Sequence, residues 1–193
     1  MSYIKDEFET HMRKWESILK EYAIPKWDDL PTIDLYMDQV IALMSQYLKR
    51  FASAAITPPM INNYVKLKAM PAPYKKKYSR IHIAYLIMIS TLKYALSIPT
   101  IQIIIPLLDS EDEVRSMFEM FAVNQRKAFA HINDKVSMVT NPTLEAADSN
   151  PDRMNDLAIQ IAVSANILKV LTEDISSIKH NESTENSKKM KNC

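Results

Sequence analysis

Apolar residues recur every three or four positions along most of this chain, which is the spacing of one face of an α-helix. The apolar runs are separated by short segments that contain proline, asparagine and small polar residues, and such segments end helices. The pattern therefore predicts a mostly α-helical protein. The predicted helices lie at about 3–22, 33–51, 58–68, 80–96, 97–106, 111–138 and 152–178.

The third predicted helix has the best-defined start in the chain. Thr57 is a good N-cap, and Pro58 and Pro59 follow it at the first two helical positions, where a missing N–H costs nothing. Ile56 and Ile61 have the spacing of a hydrophobic staple, which fixes the direction in which the chain enters the helix. These signals predict a short helix with a fixed N-terminus.

The sequence predicts the burial of one later helix and the starting point of another. The helix at 80–96 is apolar nearly all round, so we expect it to be buried on more than one face, with His82 as a core or boundary residue. Ser110 and Glu113 have the spacing of a capping box at the start of the helix at 111–138.

The last predicted helix carries apolar residues at nearly heptad spacing. This stripe either packs against the helix at 111–138 of the same chain or forms a dimer interface, and further apolar residues on both helices allow both uses together. Residues 179–193 have too few apolar side chains to form a core, so we expect them to be disordered. The residues expected at the dimer interface are Leu157, Ile161, Leu168, Leu171 and Ile175.

Charge is distributed unevenly along the chain. Residues Gln39 to Leu108 contain nine Lys and Arg residues and no Asp or Glu. The whole chain has 24 basic and 23 acidic residues, so the remainder has 15 basic against 23 acidic residues, a net charge of −8. A positive electrostatic field on one module attracts a polyanion or an anionic surface.

Composition argues against several classes of protein. The chain has no glycine, so glycine-rich phosphate loops and dinucleotide-binding turns, which bring the backbone close to a phosphate, are not expected. The single cysteine is Cys193 and the four histidines lie far apart, so we expect no disulfide, no metal site and no cofactor. Without a nucleophile–base arrangement, an enzyme is not expected. With neither a signal-peptide pattern nor an uninterrupted apolar run of about 20 residues, we expect a soluble cytoplasmic protein without a membrane partner.

The basic stretch has the organisation of a winged helix-turn-helix. In that motif the second helix enters the major groove of DNA, and here that role suits the helix at 58–68, because Asn can bond adenine and Lys can bond guanine or phosphate. The basic segment 74–78 would contact the neighbouring DNA backbone as a wing. The wing is either a small two-stranded ribbon or an extended loop. Tyr64 suits the core at least as well as a DNA contact. The residues expected to contact DNA are Thr57, Met60, Asn62, Asn63, Tyr64, Lys66, Lys68, Lys75, Lys76, Lys77, Tyr78 and Arg80.

An ordered series of residues in the segment 56–105 supports this interpretation. In this order the residues resemble the winged helix-turn-helix of the MerR type, although Asn62 and Asn63 replace the usual Arg and Tyr of its recognition helix and the wing glycine is missing. The resemblance therefore implies the fold but no base preference. The C-terminal cysteines of metal-sensing MerR proteins are absent, so it implies no metal sensing. The residues are Thr57, Tyr64, Met70-Pro71, Lys77-Tyr78-Ser79, Leu86, Leu92 and Ser97-Ile98-x-x-Ile101.

Three short sequence motifs give a closer resemblance to another family. They are DLYMDQV at 34–40, MINNYVK at 60–66 and KKKYS at 75–79. In this order they resemble an uncharacterised bacterial family known only as a domain of unknown function and commonly described as regulators. This resemblance covers about 30–108 and implies no known ligand.

The sequence as a whole predicts a DNA-binding regulator. The expected order is an N-terminal helical extension (1–31), a MerR-like winged helix-turn-helix (32–108), a C-terminal two-helix dimerisation or effector region (109–178) and the tail (179–193). We expect a homodimer that binds double-stranded DNA sequence-specifically and regulates transcription, with an unknown small-molecule effector, if one exists, bound in the C-terminal region. The alternative is a protein-interaction module that binds an acidic protein through the same basic face.

Overall fold

The structure, a computed structural model, describes residues 24–48, 55–147 and 152–191 and six single positions before residue 24. At 132–147, 152–154, 157 and 180–191 the description covers the helical backbone alone. The described part is mostly helical, which confirms the predicted class, and it contains two isolated β-bridges but no strand. A 3-10 turn at Trp27–Asp29 precedes α1 (Met37–Leu48), α2 (Pro58–Lys66), α3 (Arg80–Leu92), α4 (Ile98–Ile104), α5 (Glu111–Ala147) and α6 (Asp152–Lys191).

Helix α3 is the centre of the core. Every side chain from His82 to Ser90 is buried. A helix that is apolar all round is stable only when it is enclosed, and here α1, whose buried residues are Val40, Met44 and Leu48, packs against α3, as does α4. The structure confirms the predicted burial of this helix on more than one face and the core position of His82.

The segment before α1 also belongs to the core. Trp27 and Leu30 are buried, and the Trp27 ring lies 6.0 Å from that of Phe118 in α5, in an edge-on arrangement. Nearby, the Arg115 guanidinium forms an ion pair with Asp28 at 3.1 Å. These contacts join the segment that begins at Ile24 to the compact unit that contains the first part of α5.

The described residues divide into two compact units. One unit contains the described residues of 24–121 together with 169–191, and the other contains the described residues of 122–168 and the described positions before residue 24. In the first unit, Val114 and Phe118 of α5 are buried.

Helices α1 and α3 are shorter than predicted. Residues 33–36 are not helical, because the Leu35 amide donates to the Tyr78 carbonyl at 2.9 Å and the Tyr78 amide donates back at 2.8 Å. Helix α3 ends at Leu92 and is followed by a turn at 93–95. Of the predicted helix at 3–22, the described positions are helical and the others lie outside the described residues.

Helices α5 and α6 are longer than predicted. Helix α5 continues to Ala147 through the first part of the predicted loop, and α6 continues to Lys191, where the sequence predicted a disordered tail. No proline or glycine follows Pro151 to interrupt α6. Each residue added to an existing helix gains one backbone hydrogen bond, so a polar sequence can extend a helix without contributing to a core.

Candidate nucleic-acid interface

Helix α2 separates buried from polar residues by position. Ile61 and Tyr64 are buried, as is Ile56 just before the helix, so the predicted staple residues both lie in the core. On the other side Asn62 and Asn63 are exposed, as is Lys66. The exposed side of α2 therefore presents two amides and one ammonium group.

The N-terminus of α2 differs from the sequence-based expectation in one respect. Thr57 occupies the N-cap position in an extended conformation, but its side chain makes no capping hydrogen bond. Pro58 and Pro59 have no N–H, so Met60 carries the first backbone donor of the helix. The side chain of Met60 is half-buried. This leaves the exposed Thr57 hydroxyl and the Met60 amide as the polar groups at this end.

The C-terminus of α2 is held in a defined geometry. The Ala69 amide donates to the Tyr64 carbonyl at 2.8 Å and the Lys68 amide donates to the Val65 carbonyl at 3.0 Å, which are the two bonds of a Schellman motif. Lys68 has φ 56°, the left-handed conformation that glycine usually supplies at this position. The Gln102 side chain in α4 donates to the Leu67 carbonyl at 2.7 Å. The orientation of α2 is thereby coupled to the core.

The basic segment after α2 forms a tight turn. The Lys77 amide donates to the Tyr74 carbonyl at 2.9 Å, and the two central residues, Lys75 and Lys76, have φ of 50° and 62°. Two consecutive positive φ values characterise the type I′ turn, which normally uses Asn and Gly. Of the alternatives left open by the sequence, the structure has a turn fixed by single bridges rather than a ribbon of full strands.

A row of exposed aromatic and basic side chains crosses this turn. Because Leu35 pairs with Tyr78 and Tyr74 pairs with Lys77 in antiparallel bridges, residue 36 lies opposite Lys77, which in turn lies beside Tyr74. The Tyr36 and Tyr74 side chains are 53% and 73% exposed. The Lys77 ammonium lies 5.6 Å from the Tyr36 ring centroid, and the Lys75 ammonium lies 5.1 Å from that of Tyr74. Sequence reasoning missed Tyr36, since its position depends on a pairing between distant segments.

Two tyrosines expected at the DNA contact are instead inside the protein. Tyr64 and Tyr78 are 4% and 3% exposed. Burial raises the pKa of both hydroxyls, and the nearby Tyr94 raises the pKa of Tyr64 further. Their role in this structure is to anchor α2 and the turn to the core.

His82 connects the two ends of the segment that carries the turn. Its Nδ1 accepts a hydrogen bond from the Ser79 amide at 3.0 Å, and its Nε2 lies 3.3 Å from the Ala72 carbonyl oxygen. An amide can only donate, so Nδ1 is unprotonated and Nε2–H donates to Ala72. Burial lowers the pKa of His82, against the hydrogen bonds to Ala72 and Ser79 and the carboxylate of Asp34, which raise it. The neutral imidazole therefore fits this position.

Arg80 lies apart from the exposed lysines. Its guanidinium lies 5.7 Å from the Trp27 ring centroid, and its Nη2 donates to the Leu30 carbonyl at 3.3 Å. The residue is half-buried and borders an open depression of about 270 Å³ that Asp34 and Glu111 also line. These contacts give Arg80 a structural position between the first turn of α3 and the loop before α1.

The exposed groups together have one sign of charge. From residue 55 to residue 108 the described chain contains seven basic residues and no acidic one. The basic residues expected to contact DNA and found exposed are Lys66, Lys68, Lys75, Lys76 and Lys77. Because no carboxylate within this segment offsets them, they can form a field that attracts a polyanion.

Comparison with known families identifies the domain that carries these residues. Residues 25–131, more than half of the chain, match the family model described as a domain of unknown function, DUF1836. The chain belongs to the DUF1836 family. Membership of a family of unknown function was expected from the sequence, over 30–108, whereas nothing in the comparisons supports a MerR-type family. Curated proteins and solved structures gave no match.

Two further properties concern the described residues as a whole. Among them, no group of three or more His, Cys, Asp and Glu side chains is placed to hold a metal ion. No described helix has the length and apolar character needed to cross a membrane.

Proposed function

We propose that this DUF1836 protein is a sequence-specific regulator of transcription that binds double-stranded DNA as a homodimer. In this proposal α1, α2 and the turn at 74–77 act as a winged helix-turn-helix of the MerR type. Helix α2 is the recognition helix in the major groove, and the turn is the wing. The observation that carries the proposal is the exposed polar side of α2 together with the three exposed lysines of the turn, in a segment without acids.

The chemistry of these side chains supports different roles for α2 and for the turn. Asn62 and Asn63 have amide groups that can bond the edge of adenine, and Lys66 can bond guanine or a phosphate. The lysines of the turn have no carboxylate within their segment and can neutralise phosphates. Base readout is therefore proposed for α2 and backbone contact for the turn.

The backbone conformation of the turn gives independent support. Lys75 and Lys76 both have positive φ, a conformation that costs a non-glycine residue about 1–2 kcal/mol. Such strain persists where the surrounding structure holds it, and it is concentrated at functional sites. Lysine at both positions keeps two cations at the tip of the turn, where glycine or asparagine would be easier to accommodate.

The homodimer is proposed to form through α6. Of the residues expected at the interface, Ile161, Leu168, Leu171 and Ile175 are all at least half exposed, and the side chain of Leu157 lies outside the described residues. Their spacing fits one seam of a coiled coil. A two-fold dimer of this kind would bind an inverted repeat, because the symmetry of the site matches that of the protein.

Removing the lysines of the turn tests the phosphate contacts. We expect the variant with Lys75, Lys76 and Lys77 all changed to Ala to bind every duplex more weakly, and its log–log salt slope to be smaller by about 2 to 3 units, since three cations are lost. Fluorescence anisotropy between about 50 and 300 mM salt measures both quantities. The matched control changes the exposed Lys26, Lys127 and Lys169 to Ala, which removes the same charge elsewhere. Equal effects of the two triple variants would contradict the proposed wing.

Removing the amides of α2 tests base readout. We expect Asn62→Ala and Asn63→Ala to weaken binding to the specific site by about 1–3 kcal/mol each and to leave binding to random duplex unchanged. Alanine favours helix formation, so α2 should remain folded. The control is Asn124→Ala on the exposed surface of α5. A loss that is the same on specific and random DNA would argue against base readout, and salt-dependent binding to an acidic protein but not to DNA would favour a protein-interaction module instead.

A further inference from the structure

The turn at 74–77 and the segment paired with it carry two exposed aromatic rings. Lys77 lies between Tyr36 and Tyr74, because it is opposite residue 36 on one side and bridged to Tyr74 on the other. Paired backbone segments lie about 4.8 Å apart, so the Cα atoms of the two tyrosines are separated by about 10 Å. The two rings come from distant parts of the sequence but belong to one surface.

Each ring keeps one face open to solvent. The Lys77 ammonium lies 5.6 Å from the ring centroid of Tyr36, and the Lys75 ammonium lies 5.1 Å from that of Tyr74. A cation placed over an aromatic ring contacts one of its two faces. Since the two tyrosines are 53% and 73% exposed, the second face of each ring is available to a planar partner.

The charge beside these rings is positive on balance. The three lysines at 75–77 are all exposed. Asp34 and Asp38 flank Tyr36 in the sequence, so the positive charge is greatest at the turn itself. Phosphates can therefore be neutralised at the turn, next to the open face of Tyr74.

A planar partner with a phosphate attached is a nucleotide whose base is not stacked in a duplex. Double-stranded DNA offers the edges of its bases and its phosphates, because the faces of the bases are covered by their neighbours. In a single strand the faces are free, and proteins that bind single strands combine aromatic rings with a positively charged groove. The separation of about 10 Å is about three steps of a stacked strand at about 3.4 Å each, so a short run of nucleotides can reach both rings.

We propose that Tyr36, Tyr74 and the lysines of the turn form a binding site for single-stranded nucleic acid. One base stacks on the open face of each tyrosine, and the ammonium groups of the turn neutralise the phosphates beside them. This activity goes beyond the recognition of duplex DNA by α2. It requires no contact from Asn62 or Asn63, although it uses the same lysines as the proposed wing.

Fluorescence anisotropy of the purified full-length protein with three labelled oligonucleotides tests this inference. They are oligothymidylate, oligouridylate and an abasic deoxyribose chain, each of about 12 nucleotides, a length within the range bound by single-strand domains. The abasic chain has the same phosphates but no bases. We expect at least one of the base-bearing strands to bind more tightly than the abasic chain by about 5-fold or more, and the tighter of the two tells DNA from RNA as the source.

Variants of the two rings separate stacking from charge. We expect Tyr36→Ala and Tyr74→Ala each to weaken binding of the tighter strand by about 5- to 150-fold and to leave binding of the abasic chain unchanged. Tyr36→Phe and Tyr74→Phe keep the rings and should bind as the wild type does. The matched control is Tyr94→Ala, because Tyr94 is also about half exposed with the Lys93 ammonium 5.0 Å from its ring centroid, but lies at the other end of α3. Circular dichroism checks that all variants keep their helix content.

The other outcomes keep this inference apart from the proposed function. Equal binding of the abasic chain and of both base-bearing strands would overturn the inference, and so would an equal loss in Tyr94→Ala. Binding of the wild type to duplex DNA alone would overturn the inference and leave the proposed function standing. Binding to a base-bearing single strand alone would support the inference and contradict the proposed function, and no binding to any nucleic acid would overturn both.

Discussion

Helix α3 and the middle of α6 are both apolar but have opposite surroundings. Nine consecutive residues of α3, His82 to Ser90, are buried, whereas all residues of 158–168 in α6 are exposed. Both segments are apolar around the whole helix, and neither contains an acidic residue. The difference is that α1 and α4 pack against α3 within the chain. An apolar circumference therefore predicts enclosure but does not tell whether the chain itself or another copy provides it.

The same comparison separates the family domain from the rest of the molecule. The match to DUF1836 covers 25–131 and so contains α1 to α4 and the first part of α5, with the whole candidate interface. Helix α6 lies outside that span. A domain with its own core can keep α2 and the basic turn in place by internal contacts, and the proposed homodimer interface lies outside the matched span.

The largest expected effect distinguishes two isoleucine variants, one in α3 and one in α6. Ile83 in α3 is fully buried and Ile161 in α6 is about half exposed. We expect Ile83→Ala to lower the free energy of unfolding by about 2–5 kcal/mol at any protein concentration. Ile161→Ala should act through association, so that its effect shrinks on dilution. Urea unfolding at two protein concentrations measures both, and an effect of Ile161→Ala that is independent of concentration would contradict the assignment of α6 to an interface.

The stability of the protein should depend on pH through the buried and hydrogen-bonded His82. Burial lowers the pKa of His82 in the folded protein, so between the ordinary pKa of about 6.5 and the lower folded value the unfolded chain binds the additional proton. The free energy of unfolding should therefore fall as the pH falls below about 6.5. His82→Gln, which keeps an acceptor near the Ser79 amide, should flatten this dependence in urea titrations across pH 5–8. Identical slopes for the wild type and the variant would contradict it.

The smallest expected effect concerns Lys68 at the end of α2. This residue has φ 56°, so we expect Lys68→Gly to raise the free energy of unfolding by about 1 kcal/mol, because glycine avoids the steric cost of the left-handed conformation. Lys68→Ala removes the same charge but keeps a Cβ, and it serves as the matched control. Thermal unfolding distinguishes the two variants, and equal stability would mean that the cap is not strained.

Local signals predicted much of the fold. The start of α2 at Pro58, the burial of α3 and the cap of Ser97, whose hydroxyl accepts from the Thr100 amide at 3.3 Å, agree with the sequence. The Ser110–Glu113 capping box also forms, with the Glu113 amide 3.3 Å from the Ser110 hydroxyl. The two caps depend on residues three positions apart, and the burial of α3 was indicated by apolar residues within that helix alone, so each signal lies within one element.

Features that depend on distant segments could not be predicted. The pairing of Leu35 with Tyr78 shortens α1 and brings Tyr36 beside Lys77, and nothing near Tyr36 in the sequence indicates this. The sequence groups Arg80 with the lysines, whereas its contact with Trp27 depends on the fold. Left-handed lysines were equally hidden, since a chain without glycine gives no marker for such positions.

The proposed function depends most directly on binding of the purified full-length protein to duplex DNA. Fluorescence anisotropy with a labelled duplex from the region upstream of its own gene, and with a random duplex, should be recorded from about 50 to 300 mM salt. We expect saturable binding, tighter on the upstream duplex, with a salt slope that corresponds to several released counterions. No binding to either duplex at the lowest salt concentration would contradict the account and direct attention to an acidic protein partner for the lysines of the turn.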